Sequence, residues 1–307
     1  MIRIGLVGVG KIARDQHVPA IAATPGFDLA ATADPSGAAV GVAAFASLEA
    51  MLERGPALDA VAICTPPRHR AELAARAIAA GLHVLVEKPP AVAPGEVERL
   101  ASLSHGAGVT LFAAWHSREA AAVTVAGDWL KGRALRSVAI DWREDIRKWH
   151  PGQEWILDAG GFGVFDPGIN ALSIVTAILP GTWRVAEARM VVPAGRDGAI
   201  AADLSMVLDQ TIPVRATFDF RETGAERWVV AVETDAGRLC LADGGATVTV
   251  DGRALPVPEG AGEYPRLYRR FAALVASGAV DADTMPLRIV TDAIACAVRE
   301  EAPAFRF

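Results

Sequence analysis

The chain has 307 residues, 52% of them hydrophobic, and a formal charge of 30 − 36 = −6. That length suits two domains, and that apolar fraction suits large cores. An acidic chain with no basic block excludes nucleic acid as the main partner, and no apolar run is long enough to span a bilayer.

The opening residues, Met1-Ile2-Arg3-Ile4-Gly5, read as a strand and not as a cleavable leader. The three cysteines, Cys64, Cys240 and Cys296, form no CxxC pair. That pattern predicts reduced thiols packed as small apolar residues, in a cytoplasmic protein. The six histidines show no metal-ligand spacing, so no metal is expected.

Residues 2–7 are apolar apart from Arg3 and Gly5, the pattern of a buried parallel strand. The strand runs into Gly8-Val9-Gly10-Lys11-Ile12-Ala13 and then a helix to about residue 23. G-x-G-x-x-A in a strand–turn–helix context is the dinucleotide-binding pattern. Gly8 permits the tight turn, Gly10 lets backbone approach a pyrophosphate, and Ala13 allows close helix–strand contact. Lys11 and Ile12 open the helix, whose first N–H groups and dipole favour phosphate. A second strand over 28–33 ends in Asp34, 24 residues after Gly10. An acid there accepts hydrogen bonds from the 2′-OH of NAD and repels the 2′-phosphate of NADP. Asp34-Pro35-Ser36-Gly37 is also turn composition, but the glycines upstream favour the ribose role. With no Arg at 35 or 36, NAD is the preferred cofactor, and NADP is the alternative.

The alternation continues with strands over 58–63, 82–86 and 109–113 and helices over 69–80 and 94–105, which predicts a mostly parallel sheet. Thr65-Pro66, Glu87-Lys88 and Trp115-His116 fall at or just past strand ends, where such sheets bind ligands. After a linking helix over 117–131 the pattern changes. Residues 136–145 alternate, with Val138, Ile140 and Trp142 on one face and Asp141 and Arg143 on the other. Further strands are expected over 184–192, 201–208, 213–220, 227–234, 237–242 and 246–250, with glycine turns between several of them. They predict an antiparallel sheet, and helices follow over 266–277 and 286–299.

In the middle of the chain stands Gly160-Gly161-Phe162-Gly163-Val164-Phe165-Asp166-Pro167-Gly168-Ile169-Asn170. Asp166 and Asn170 share one helical face, and the glycines permit close approach of backbone or another molecule. Asp before Pro is also an ordinary helix start, so capping and chemistry both fit Asp166.

A strand ending in Glu87-Lys88-Pro89, behind the Gly8-x-Gly10-x-x-Ala13 turn, resembles the Gfo/Idh/MocA oxidoreductases. Gly160-Gly161-x-Gly163-Val164-x-Asp166-x-Gly168 is similar to that family's substrate-domain signature, and the likeness runs the length of the chain. Most members carry His where this chain has Asn170. Asn there resembles the members that oxidise aldopyranoses at C1, the L-arabinose and D-galactose 1-dehydrogenases. Residues 12–17, Trp115-His116-Ser117, Trp149-His150-Pro151-Gly152-Gln153 and residues 165–175 are similar to the same enzymes.

The reading that follows is α/β plus α+β: an N-terminal Rossmann parallel sheet and a C-terminal open, mostly antiparallel sheet flanked by helices. Residues 1–117 are assigned to dinucleotide binding. Residues 118–307 are assigned to substrate binding and homodimer formation, with the late helices packing back on the first domain. The resemblance implies NAD(P)-dependent oxidation of a small aldose, of the L-arabinose or D-galactose type, to its aldonolactone. Asp166, Lys88 and Asn170 are the catalytic candidates. Asp166 is favoured as base and Lys88 as the polarising cation, although Lys88 could instead take the proton. Asn170 cannot serve in the Asp–His relay that His would allow there, and its amide suits a sugar hydroxyl. Glu144, His150, His116 and Trp149 are candidate substrate ligands, weighed against ordinary structural roles. Gly8, Gly10, Lys11, Ile12, Asp34, Thr65, Pro66, Glu87 and Lys88 are the candidate cofactor contacts. A non-catalytic sugar or nucleotide sensor, and a reductase of keto-sugars or imines, are the competing functions.

Overall fold

Strand β1 (Ile2–Val7) lies inside a six-stranded parallel sheet because its later residues can be buried on both faces. The computed structural model describes every residue of the chain except Ala39, Ala261 and Phe307. After β1 the chain passes a π-type turn at Ala13–His17, then α1 (Val18–Ala23) and β2 (Phe27–Ala33). β3 (Ala43–Phe45), α2 (Leu48–Arg54), β4 (Ala60–Ile63), α3 (Pro67–Ala79) and β5 (His83–Glu87) follow. α4 (Pro94–Ala107) and β6 (Leu111–Ala114) complete the alternation. The sheet order is β3-β2-β1-β4-β5-β6, and every pairing is parallel. Successive strands run outward in both directions from β1, so the order reverses between β1 and β4. Such a reversal leaves a crevice at the carboxyl edge for a ligand. β3 and α2 escape the pattern reading because three strand residues and two helical turns show too little periodicity.

The second architecture begins with α5 (Ala121–Leu130), β7 (Leu135–Arg143), α6 (Ile146–Trp149) and α7 (Phe165–Ile178). β8 (Trp183–Pro193), β9 (Ala201–Leu208), β10 (Ile212–Asp219), β11 (Arg227–Thr234), β12 (Gly237–Ala242), β13 (Thr247–Val250) and β14 (Arg253–Ala254) follow. α8 (Glu263–Ser277), α9 (Met285–Cys296) and β15 (Val298–Ala302) close the chain. The nine strands order as β14-β13-β12-β11-β7-β10-β9-β8-β15. Pairing is antiparallel except at β7–β10 and β8–β15. The alternation read in β7 is observed: Val138, Ile140 and Trp142 are buried and Asp141 and Arg143 are not. The expected helix over 286–299 stops at Cys296, and Val298–Ala302 becomes an edge strand beside β8. That strand is exposed nearly throughout, so no apolar alternation marks it, and backbone pairing alone makes it a strand.

The chain divides into two compact units, Met1–His116 with Ala261–Thr284, and Ser117–Gly260 with Met285–Phe307. α8 therefore belongs to the first unit. Its Tyr264, Leu267, Tyr268 and Phe271 recur at helical spacing and are buried with Ile4, Leu6, Ala20 and Phe112. The Phe271 ring stacks on Phe27 and on Phe112, with centroids 6.2 Å apart in each case. α9 packs within the second unit, against α7 and β8. Among the described residues no helix is long and apolar enough to cross a membrane.

The glycines before α7 serve the chain's own backbone. A Cβ at Gly161 would lie 2.1 Å from Trp155 O and 2.4 Å from Ile156 O. One at Gly163, whose φ is +54°, would lie 2.4 Å from Ala199 O. These contacts are with peptide groups, which cannot swing aside as a side chain can. Gly161→Ala is therefore expected to lower the unfolding free energy by about 2–3 kcal/mol, the cost of overpacking a tight site. Urea denaturation followed by circular dichroism measures it, and an unchanged midpoint would show that this turn is not rigidly held.

Candidate active site

In the first unit the predicted cofactor residues gather at the carboxyl edge of the parallel sheet. Gly8 ends β1 with φ +87°, a conformation that glycine adopts without strain. A Cβ there would sit 2.9 Å from both Thr65 N and Thr65 Cγ2, so the turn lies directly against the end of β4. A Cβ on Gly10 would meet nothing within 4 Å. The turn thus opens outward at the position where a pyrophosphate would approach, and a dinucleotide fits this cradle. Ala13 is fully buried, and Lys11 is exposed and pairs with Asp15. Ile12 and Pro66 are half-buried. Thr65 Oγ1 is buried and has no hydrogen-bond partner among the described residues. Asp34 Oδ2 accepts the Val9 N–H at 2.7 Å, and Oδ1 accepts the Ser36 N–H at 2.8 Å. Partial burial works against ionising Asp34, but the Ser36 and Val9 hydrogen bonds hold its carboxyl below the usual range. Asp34 is therefore an anion at neutral pH, fixed to the turn that it adjoins.

At the end of β5, Glu87 points inward and is 1% exposed. Its Oε1 accepts from Tyr264 Oη at 2.7 Å and lies 3.0 Å from His17 Nε2. Its Oε2 accepts the Lys88 N–H at 2.9 Å. His17 Nδ1 lies 2.7 Å from Tyr268 Oη. Burial works against charging either member of the pair. For His17 it is outweighed by Cys64, Tyr268 and Glu87, which raise the imidazole well above 6.5. For Glu87 it is outweighed by the hydrogen bond and charge of His17, with His116 and Arg70 near by, so the carboxyl is held far below 4.5. Burial also pushes the Tyr268 phenol up to about 12 and raises Tyr264, so both remain protonated. His116 belongs to this unit, with Nδ1 2.5 Å from Glu263 Oε2 and its ring stacked on Tyr264 at 5.2 Å. The cation–anion pair at the strand end was not legible in the sequence, where His17 looks like a structural or surface residue.

In the second unit Asp166 stands in the first turn of α7 and is 6% exposed. The helix begins two residues earlier than an Asp–Pro cap would require. Val164 is the N-cap, with no side-chain cap bond, so the capping reading of Asp166 is not what the structure adopts. Asp166 Oδ2 lies 3.8 Å from His150 Nε2, and the same nitrogen lies 3.8 Å from Glu144 Oε1. Glu144, at the end of β7, is 4% exposed, and its Oε2 accepts from Trp228 Nε1 at 3.0 Å. His150 itself follows directly after α6. Asn170 follows one turn after Asp166 on α7 and is half-buried. Trp149 is 40% exposed, and its ring lies 5.3 Å from that of Trp228, which in turn lies 6.1 Å from Trp142. Trp228, like His17, is not singled out in the sequence. Within Arg227–Thr234 it looks like any strand aromatic, and only the register that sets it opposite Trp142 brings it to Glu144.

The model of the Gfo/Idh/MocA oxidoreductases, an NAD-binding Rossmann fold, matches residues 2–115. The chain is 45% identical to galactose 1-dehydrogenase of Pseudomonas fluorescens, over 99% of this chain and 98% of that one. It belongs to the Gfo/Idh/MocA oxidoreductase family. As a member it is an enzyme that binds NAD or NADP on its Rossmann sheet. The crystal structure of D-galactose 1-dehydrogenase from Rhizobium etli superposes with a TM-score of 0.93 at 47% identity, covering 99% of this chain and 98% of that one. A 3-ketoreductase from Actinomadura kijaniata, solved with NADP, shares the fold with a TM-score of 0.86 at 22% identity, covering 98% and 99%.

The His17–Glu87 pair carries a signed pH dependence. The raised His17 contributes stability that is whole below pH 6.5 and is lost as pH climbs through its raised folded value. The lowered Glu87 contributes stability that is whole above pH 4.5 and is lost as pH falls through its depressed value. Both contributions are complete between those two limits. Glu87→Gln leaves a buried partner unpaired and is expected to cost about 3–5 kcal/mol in that window. The gap between parent and variant should narrow at alkaline pH as His17 discharges. Denaturation at stepped pH measures it, and a gap that widens above neutrality would mean that His17 is neutral in the fold.

Proposed function

We propose that this enzyme oxidises C1 of a pyranose of the galactose or arabinose type, with NAD favoured over NADP. It is an NAD(P)-dependent aldose 1-dehydrogenase, and the product is the aldonolactone. The observation that carries the reading is the full-length likeness to two galactose 1-dehydrogenases, at 45% and 47% identity. The chemistry of the candidate residues in each unit supports it. Oxidation at C1 removes a hydride from carbon and a proton from the anomeric hydroxyl, and leaves a carbonyl in the ring. The dinucleotide, when bound, supplies the acceptor for the hydride.

Asp166 is the base in this reading. His150, 3.8 Å away, stands next in line to share or pass on the proton. Lys88 donates to the oxygen on which charge develops. Asn170 offers one amide as donor and acceptor to a ring hydroxyl. Glu144 and His150 bind further hydroxyls, His116 is a further candidate hydroxyl ligand, and Trp149 with Trp228 offers ring faces to the sugar's C–H surface. The preference for NAD rests on Asp34. Its carboxylate is ionised, and the next two residues, Pro35 and Ser36, bring no cation to a 2′-phosphate.

The direct test is NADH absorbance across a panel of free aldoses and keto-sugars. D-galactose and L-arabinose should be oxidised, and an enzyme that binds NAD yet turns over no aldose would sink the reading. Lys88→Ala and Asp166→Ala should each lower kcat by about 10²–10⁴ with NAD affinity nearly unchanged. Asp34→Ala should raise the NADP-to-NAD ratio of kcat/KM by roughly tenfold, about 1.4 kcal/mol. An unchanged ratio would reduce Asp34 to a turn residue.

A further inference from the structure

Lys88 sits on a short segment that is held from two sides within the first unit. On one side the Glu87 carboxylate accepts the Lys88 N–H at 2.9 Å and is itself held by His17 and Tyr264. With His17 protonated, one ring N–H donates to Glu87 and the other to Tyr268 Oη. On the other side Arg70, 6% exposed, donates through Nη1 to Glu87 O at 2.9 Å and to Pro89 O at 2.6 Å. Its Nε donates to Thr65 O at 2.7 Å, which ties the same guanidinium to the end of β4. The groups come from four distant stretches. His17 closes the π-type turn that follows the Gly8–Ile12 cradle, Arg70 lies on α3, Glu87 ends β5, and Tyr264 and Tyr268 arrive on α8.

Two features argue that this arrangement does more than stabilise the unit. A buried ion pair can often be replaced by apolar residues of similar volume with no loss of stability, so folding alone does not call for it. The π-type turn is a rare helix geometry that is frequent at functional sites. Here its last residue is the one that reaches Glu87.

We propose that His17, Glu87 and Tyr264 act as positioning residues for Lys88, linking the helix that opens on the dinucleotide turn to the backbone that carries the lysine. The inference rests on the assignment of Lys88 to catalysis. Glu87, a candidate cofactor contact from the sequence, has both oxygens engaged by His17, Tyr264 and the Lys88 N–H, so in this proposal it acts through Lys88 and not on the dinucleotide. It sets the Lys88 N–H, hence the start of the side chain, and His17 and Tyr264 set Glu87. An ångström of misplacement at a reacting group can cost about 10²-fold in rate, so a small loosening here is read directly in turnover.

The test is a double-mutant cycle on the full-length enzyme, with kcat and NAD affinity measured on variants shown to be folded by circular dichroism. Glu87→Gln and Tyr264→Phe are each made alone and together with Lys88→Ala. With Lys88 present, each is expected to lower kcat by about 10–100-fold while NAD affinity moves less than about 3-fold. With Lys88 already removed, neither should lower the residual rate by more than about 2-fold, because residues that act as a unit are not additive. Equal losses in the two backgrounds would overturn the positioning role, and so would an unchanged kcat in the folded single variants. If Glu87→Gln does not fold, Tyr264→Phe, which removes one hydroxyl, decides alone. A Lys88→Ala enzyme with near-parental kcat would instead overturn the assignment of Lys88, which separates the two failures.

Discussion

Burying the Glu87 carboxylate is the constraint around which the first unit is arranged. An anion taken out of water must be met by a cation and by enough donors to replace its hydration. Glu87 is met by His17, Tyr264 and the N–H of Lys88. His17 in turn needs Tyr268 on its other nitrogen. Satisfying one side chain thus draws together the helix after the glycine turn, the end of β5 and α8. α8 shares the core of the parallel sheet through its apolar face. Its Tyr264, Leu267, Tyr268 and Phe271 provide an apolar face and two hydroxyls on the same stripe.

The second unit solves a different problem. Asp166 and Glu144 are both nearly buried, and His150 stands between them. Both carboxylates face the same imidazole nitrogen, each at 3.8 Å. The tryptophans beside it, Trp142, Trp149 and Trp228, set an apolar wall next to polar groups, the combination that sugars require. Of the two uses open to the glycines before α7, close approach of backbone or of another molecule, Gly161 and Gly163 serve the first, against the backbone of Trp155, Ile156 and Ala199.

How much of this the residues announce depends on how local each feature is. The Gly8–Ala13 turn, Asp34 at a strand end, the parallel alternation and the change to hairpin-linked strands are all encoded within a few neighbouring positions. Strand periodicity and turn chemistry act over that range, so they can be read without coordinates. The edge strand Val298–Ala302 is the opposite case. Its five residues show no apolar alternation, and its partner β8 lies about a hundred positions earlier.

The sequence by itself determined the two architectures, the dinucleotide turn, the candidates Lys88, Asp166 and Asn170, and the family. Each rests on a motif of adjacent residues or on a period of two or 3.6. Only the tertiary structure decided which groups surround them. It joined His17 to Glu87, brought His150 and Glu144 to Asp166, set Trp228 opposite Trp142, and withdrew the helix cap from Asp166. The physical reason is that charge pairing and strand register act through space. A buried ion can be satisfied by any donor that the fold brings near, and the order of residues along the chain does not say which donor that will be.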